Sequence, residues 1–90
     1  MKSRERIRKL FEAIPLSQVK VRFIPLDPED VAFYVLVTSP DFEGMSSHDR
    51  GLLVWGFILD HFDEMSRNQV KYVYTKTPEE AAEVAAPQHA

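Results

Sequence analysis

The chain has 90 residues, no cysteine and a formal net charge of −3 at pH 7. This length predicts a single domain spanning residues 1–90, which depends on core packing because disulfides are absent. The lack of thiols excludes a cysteine nucleophile and cysteine-ligated zinc or iron–sulfur sites within the chain. The negative charge argues weakly against a general nucleic-acid binder. We expect residues 1–3 and 86–90 to be frayed.

The N-terminal sequence MKSRERIRKLF does not resemble a signal peptide, because it lacks an apolar core. The longest apolar run, Leu52 to Leu59, is too short to span a bilayer. The sequence therefore predicts a cytoplasmic domain that has no membrane partner.

The first 40 residues predict a helix followed by a β-hairpin. The helix is capped by Ser3, ends before Pro15 and carries an apolar stripe at helical spacing: Ile7, Leu10, Phe11 and Ile14. Its basic residues are typical of a solvated face, with a phosphate-binding face as the less favoured alternative. Residues 19–24 alternate in polarity, and residues 31–38 are nearly all apolar. They predict two antiparallel strands, the second covered on both faces.

The second half predicts helix, strand and helix. Ser46 and Asp49 form a capping-box pattern at the start of one long helix, from about Ser47 to about Ser66. Residues 70–75 alternate as a third strand. The run Thr77-Pro78-Glu79-Glu80 is a strong helix start, with Thr as N-cap, Pro at the first position and Glu closing a capping box.

This order of elements predicts the topology of the sheet. Strands joined by a short turn pair antiparallel, whereas strands joined by a crossover helix pair parallel. The expected fold class is therefore α/β, with a small mixed three-stranded sheet and helices mainly on one face.

Few residues suggest chemistry, and we expect neither a catalytic nor a metal site. Asp60 and Glu64 have the spacing of a carboxylate pair on one helix, but a solvated helix end is the favoured interpretation. His48 and Arg50 lie in the first turn of the long helix, where an anion could bind. An exposed first turn without a ligand is favoured there too.

The apolar run Leu52 to Leu59 is the most informative feature, because it covers every direction around a helix. A three-stranded sheet can bury only one side of that helix. The remainder, including Trp55, is then an exposed apolar surface for a partner, and Gly56 lets another backbone approach. Full burial between the sheet and the first helix is an equally weighted alternative.

Several of these residues resemble a known pattern. The run from Phe42 to Ser46 (FEGMS), followed by Arg50 and then Leu53-Val54, resembles the BolA-like pattern F-x-G-x-S-x-x-x-R-H-R-L-V. The segment KTPEE at residues 76–80 is similar to the family's closing motif, and the resemblance covers roughly residues 4–82. It implies a KH-like α-β-β-α-(α)-β fold. It also implies a non-enzymatic, regulatory, stress-response protein that pairs with a monothiol glutaredoxin and shares its iron–sulfur cluster; some members bind DNA.

This chain departs from the pattern at the positions that would hold a cluster. The family's ligating His falls on Gln69, and the loop at residues 27–30 has neither His nor Cys. Because an amide is a poor ligand for iron, we expect no cofactor here. Of the motif R-H-R, only Arg50 is retained.

Two main hypotheses follow, and both treat the chain as a binding domain without enzymatic activity; a small enzyme or metal protein is the third and least favoured interpretation. In the first, Trp55, Arg50 and Gln69 bind a protein partner such as a monothiol glutaredoxin. In the alternative, the chain is a transcriptional regulator whose KH-like surface meets nucleic-acid phosphates through Arg50, Arg67 and Lys71. Pairing of two copies into a homodimer is left open.

Overall fold

The computed structural model describes residues 3–26, 28–29 and 32–85. Its elements are α1 (Ser3–Phe11), β1 (Lys20–Pro25), β2 (Phe33–Thr38), a 3-10 turn (Pro40–Phe42), α2 (Ser47–His61), α3 (Glu64–Gln69), β3 (Val70–Lys76) and α4 (Pro78–Ala85). The order predicted from the residues is present, α3 is the bracketed helix of the fold that the resemblance implies, and the 3-10 turn is an addition. The expected fraying of residues 1–2 and 86–90 lies outside the described residues, whereas Ser3 already belongs to α1.

The three strands form one sheet in the order β1-β2-β3. Strand β2 pairs antiparallel with β1 and parallel with β3, as the connections predict. The register to β3 shifts once, because Phe33 pairs with Val70 while Tyr34 pairs with Tyr72. Lys71 is therefore the extra residue of a bulge at the start of β3.

The core lies between one face of the sheet and helices α1 to α3. Alternate residues of β2 (Phe33, Val35 and Val37) are fully buried. The helices contribute Phe11 and Phe62, whose rings meet edge to face with centroids 5.2 Å apart. Aromatic pairs of this kind add to the free energy gained by burying their surface, so α1 is held against the end of α2.

The prediction that β2 is covered on both faces is wrong. Tyr34 and Leu36 point away from the core and are only half-buried. The reason is the position of the last helix: Ala81 and Ala82 of α4 share a groove with Lys20 and Thr38, at one end of the sheet. Most of this second face therefore has no helix over it in the described part of the chain.

The prediction of one helix from about Ser47 to about Ser66 is also wrong. Helix α2 ends at His61, and Phe62 is extended (φ −90°, ψ 139°). Phe62 turns into the core, and Asp63 caps α3 by accepting a hydrogen bond from the Ser66 N–H at 3.4 Å. Hydrogen bonding to Ser66 holds the pKa of Asp63 below its usual value.

This break also separates the two acidic residues that were candidates for a cation site. Asp60 lies on α2 and Glu64 begins α3. They do not lie one turn apart on a single helix, so their spacing in the sequence does not make them a carboxylate pair.

Local capping at the ends of the helices follows the sequence signals. The Thr77 hydroxyl accepts from the Glu80 N–H at 3.1 Å, and the Glu80 carboxylate accepts from the Thr77 N–H at 2.9 Å. Both halves of the predicted capping box are therefore formed. At α2, the Ser46 hydroxyl accepts from the Asp49 N–H at 3.1 Å.

Two glycines should respond to alanine in opposite directions. Gly44 has φ +80°, whereas Gly51 lies inside α2, and a Cβ at either position meets no atom within 4 Å. Gly44→Ala should lower the free energy of unfolding by about 1 kcal/mol, because a side chain disfavours this backbone conformation. Gly51→Ala should raise it by up to about 1 kcal/mol, since alanine favours a helix. Urea unfolding curves measure both, and equal signs would contradict the assigned backbone.

Candidate binding surfaces

The outer side of α2 carries exposed apolar side chains. We call Leu52, Trp55, Gly56 and Leu59 the α2 stripe, because their spacing places them on one side of the helix. Leu52 and Leu59 are each 60% exposed, and Trp55 is half-buried against the core. The sequence run pointed to Trp55, but the two leucines expose more of their surface.

Arg50 points inward. Its guanidinium nitrogens Nη1 and Nη2 donate to the Glu80 carboxylate at 2.7 and 3.3 Å, and Nε donates to the Met45 carbonyl at 3.1 Å. The side chain also lies over the Phe42 ring, and the residue is only 8% exposed. Arg50 thus joins α2 to α4, and contact with a partner or a phosphate would have to break these bonds.

The pKa of Glu80 reflects this arrangement. The Arg50 hydrogen bonds, followed by the Thr77 N–H, lower the pKa of the Glu80 carboxyl from 4.5 to about 2. A carboxyl whose pKa is lower in the folded state stabilises the fold above its unfolded pKa. That stabilisation is lost as the pH falls from about 4.5 towards 2.

Gln69 occupies the position where the BolA-like pattern has a cluster-ligating histidine. Its Oε1 accepts a hydrogen bond from Arg6 Nη2 at 2.7 Å, and Arg6 Nε donates to the Ser66 hydroxyl at 3.0 Å. Gln69 therefore helps to tie α1 to α3. An amide oxygen held by a guanidinium does not suit iron, so these residues do not fit a shared iron–sulfur cluster. Within the described residues, no three His, Asp or Glu side chains are grouped to hold a metal ion.

The other basic residues are divided between structural and exposed positions. Arg8 of α1 donates to the Val21 carbonyl at 3.2 Å, and its guanidinium lies 4.9 Å from the centre of the Phe23 ring. Arg67 is half-buried on α3, and Lys71 is exposed at the bulge of β3. Of the three residues in the nucleic-acid hypothesis, Arg67 and Lys71 therefore remain candidates for binding phosphate, whereas Arg50 forms an ion pair with Glu80.

A second surface lies on the uncovered face of the sheet. We call it the sheet face; it consists of Lys20, Arg22 and Ile24 of β1, Tyr34 and Leu36 of β2, and Tyr72 and Tyr74 of β3. The sequence pattern did not predict this surface. The sequence feature that could have revealed this surface is the alternation of polar and apolar residues in β1, where Lys20 and Arg22 are exposed and Phe23 is buried.

The element order and the mixed sheet, with three helices on one side, define a KH-like α/β domain. More particularly, the fold is BolA-like. The structure is similar to that of BolA1 from Arabidopsis thaliana, with a TM-score of 0.56 and 21% sequence identity. The similarity covers 89% of this chain and 96% of that chain. No family model matches the sequence, and no curated protein matches it significantly.

None of the described helices combines the length and the apolar character needed to cross a membrane. The cytoplasmic location predicted from the sequence stays a prediction.

Removing the charge of Glu80 should destabilise the fold in a pH-dependent way. Glu80→Gln keeps an oxygen that can accept from the Thr77 N–H but leaves Arg50 without its carboxylate. We expect a lower urea midpoint than in the parent protein at pH 7, and a smaller difference as the pH falls from 4.5 towards 2. Glu79→Gln, an exposed neighbour, is the control and should change little. A constant difference across this range would contradict the ion pair.

Proposed function

We propose that this chain is a non-enzymatic, BolA-type regulatory domain that binds a protein partner through the α2 stripe. The observation that carries the proposal is the exposure of Leu52 and Leu59 on one side of α2. Removing two leucines from water favours association, and clustered apolar side chains of this kind are typical of protein interfaces.

The shape of the α2 stripe suits a second helix or a flat protein surface. Gly56 lies among its larger side chains, and open space surrounds the position where its side chain would be. Another backbone can therefore come close to α2 at this point, with the leucines on either side. Trp55, already packed against the core, would provide a rigid floor for the contact.

A monothiol glutaredoxin is the partner we favour. Support comes from the BolA-like fold and from the sequence motif, both of which extend over most of the chain. In our proposal the contact is apolar and does not depend on a shared cluster, because Gln69 is bound to Arg6. The domain therefore binds the partner without contributing a ligand to iron.

Charge placed on the α2 stripe should weaken this complex. We expect Leu52→Lys and Leu59→Lys each to raise the Kd for a monothiol glutaredoxin by about 10-fold or more, since each variant buries a charge in an apolar contact. Isothermal titration calorimetry measures the effect. Leu26→Lys is the matched control, because Leu26 is also an exposed leucine but follows β1. Equal losses in all three variants, or none, would contradict the assigned surface.

The absorption spectrum of the glutaredoxin's own cluster gives an independent test. If Gln69 supplies no ligand, adding this chain under anaerobic conditions should leave the cluster's visible spectrum unchanged while calorimetry reports binding. A new absorption or circular-dichroism band that is lost in Gln69→Ala would show that the chain contributes a ligand.

A further inference from the structure

The sheet face has a regular arrangement of side chains, which follows from the strand register. Arg22 lies opposite Leu36, and Leu36 lies opposite Tyr74. In the next row, Ile24 lies opposite Tyr34, and Tyr34 opposite Tyr72. Basic residues thus occupy the start of β1, while aromatic rings occupy β2 and β3. Adjacent strands are about 4.8 Å apart, so these two edges are separated by about 10 Å.

The three tyrosines form a compact exposed cluster. The ring centroids of Tyr72 and Tyr74 are 4.7 Å apart, and they lie 6.2 and 5.8 Å from the ring centroid of Tyr34. The rings meet edge to face at 62° to 73°, so they are not stacked on one another. Tyr72 is 53% exposed and Tyr74 is 40% exposed. A ligand on this face can therefore reach part of the ring of both Tyr72 and Tyr74.

The charge of this face is positive. The side chains of Lys20 and Arg22 are exposed, and neither side chain makes a hydrogen bond or ion pair with any described residue. The seven positions of the sheet face include no acidic residue. Lys71 adds a further exposed positive charge at the bulge beside Tyr72. The face is thus complementary to an anionic ligand, although the whole chain is acidic.

We propose that the sheet face binds single-stranded nucleic acid. Its bases stack on Tyr34, Tyr72 and Tyr74, and its phosphates lie along β1 beside Lys20 and Arg22. A flat sheet that carries aromatic rings and is bordered by basic side chains supplies both interactions that such a ligand needs. The site is separate from the α2 stripe, so this proposal does not rest on the protein-binding one.

Other occupants fit the same surface less well. The bases of a duplex are stacked inside the helix and cannot lie on the tyrosines. A second copy placed face to face would bring Lys20 and Arg22 of each chain towards a surface of the same sign. An acidic peptide would satisfy the charges but would supply few aromatic faces to the rings.

Fluorescence anisotropy with labelled oligothymidylate and oligouridylate of about 12 nucleotides tests the proposal on the full chain. Both oligonucleotides should bind at low salt, and a duplex of equal length should bind far more weakly. With about three phosphate contacts, raising the salt concentration from 50 to 200 mM should weaken binding roughly 20-fold. The preferred oligonucleotide shows whether the natural ligand is DNA or RNA.

Variants of the tyrosines locate the site. The double variant Tyr72→Leu, Tyr74→Leu should raise the Kd about 10-fold or more, because leucine keeps apolar cover but cannot stack. The matched double variant Tyr72→Phe, Tyr74→Phe keeps the rings and should bind as the parent does. Arg22→Gln should reduce the slope of the logarithm of Kd against the logarithm of salt concentration by about 0.7. Arg67→Gln, which removes a charge on α3, should leave binding unchanged.

Circular dichroism and urea unfolding confirm that each variant is folded. If the leucine double variant does not fold, Lys20→Gln with Arg22→Gln carries the test, because both side chains are exposed. The proposal is overturned if neither oligonucleotide binds or if the duplex binds equally well. It is also overturned if Arg67→Gln, rather than the sheet-face variants, abolishes binding. A concentration-dependent dimer that the leucine variant disrupts would assign the face to a second copy instead.

Discussion

The architecture depends on one geometric constraint: alternate side chains of a strand point to opposite faces of the sheet, and the described helices α1 to α3 all pack on one of these faces. Phe33, Val35 and Val37 take the covered face and form the centre of the core. Tyr34 and Leu36 must then point the other way. Within the described residues, only α4 comes near this other face, and it lies at one end of it, so most of the face has no helix over it.

The ion pair between Arg50 and Glu80 joins α2 to α4 at one end of this sheet. Glu80 belongs to the capping box of α4, so the carboxylate that orders the start of the helix also binds the guanidinium from α2. A chain of local and distant hydrogen bonds thus positions α4 at the end of the sheet rather than over its face. The sheet face is open because of this placement, and the Arg50 guanidinium is bound to Glu80 within the fold.

The sequence predicted the helix caps and the strand directions, which follow from nearby residues and from the connections between elements. It did not predict which side chains contact distant residues. The capping box at Thr77 and the hairpin of β1 and β2 involve nearby residues or a short connection, and the parallel pairing of β2 with β3 follows from the helical crossover between them. The break at Phe62 was hidden by the continuous apolar run before it, although Asp63 and Ser66 have the spacing of an N-cap and its partner. The sheet face was not predicted because β2 is nearly all apolar and does not show which of its faces is exposed. Only the strand register shows that Tyr34 and Leu36 lie on the same face as Arg22 and Ile24 of β1. Arg50 could not be assigned to the interior without knowing where Glu80 lies.

The two proposed surfaces lie on opposite sides of the domain and use different chemistry. Val54 and Ile58 face the core, so the α2 stripe faces away from the sheet, whereas the sheet face lies beyond β2 on the other side. One surface is apolar and uncharged; the other combines aromatic rings with positive charge. A partner on one therefore leaves the other accessible, and substitutions on either surface act through separate contacts. If both ligands bind, they are coupled only through the sheet and the helices between them, and their free energies of binding should be close to additive.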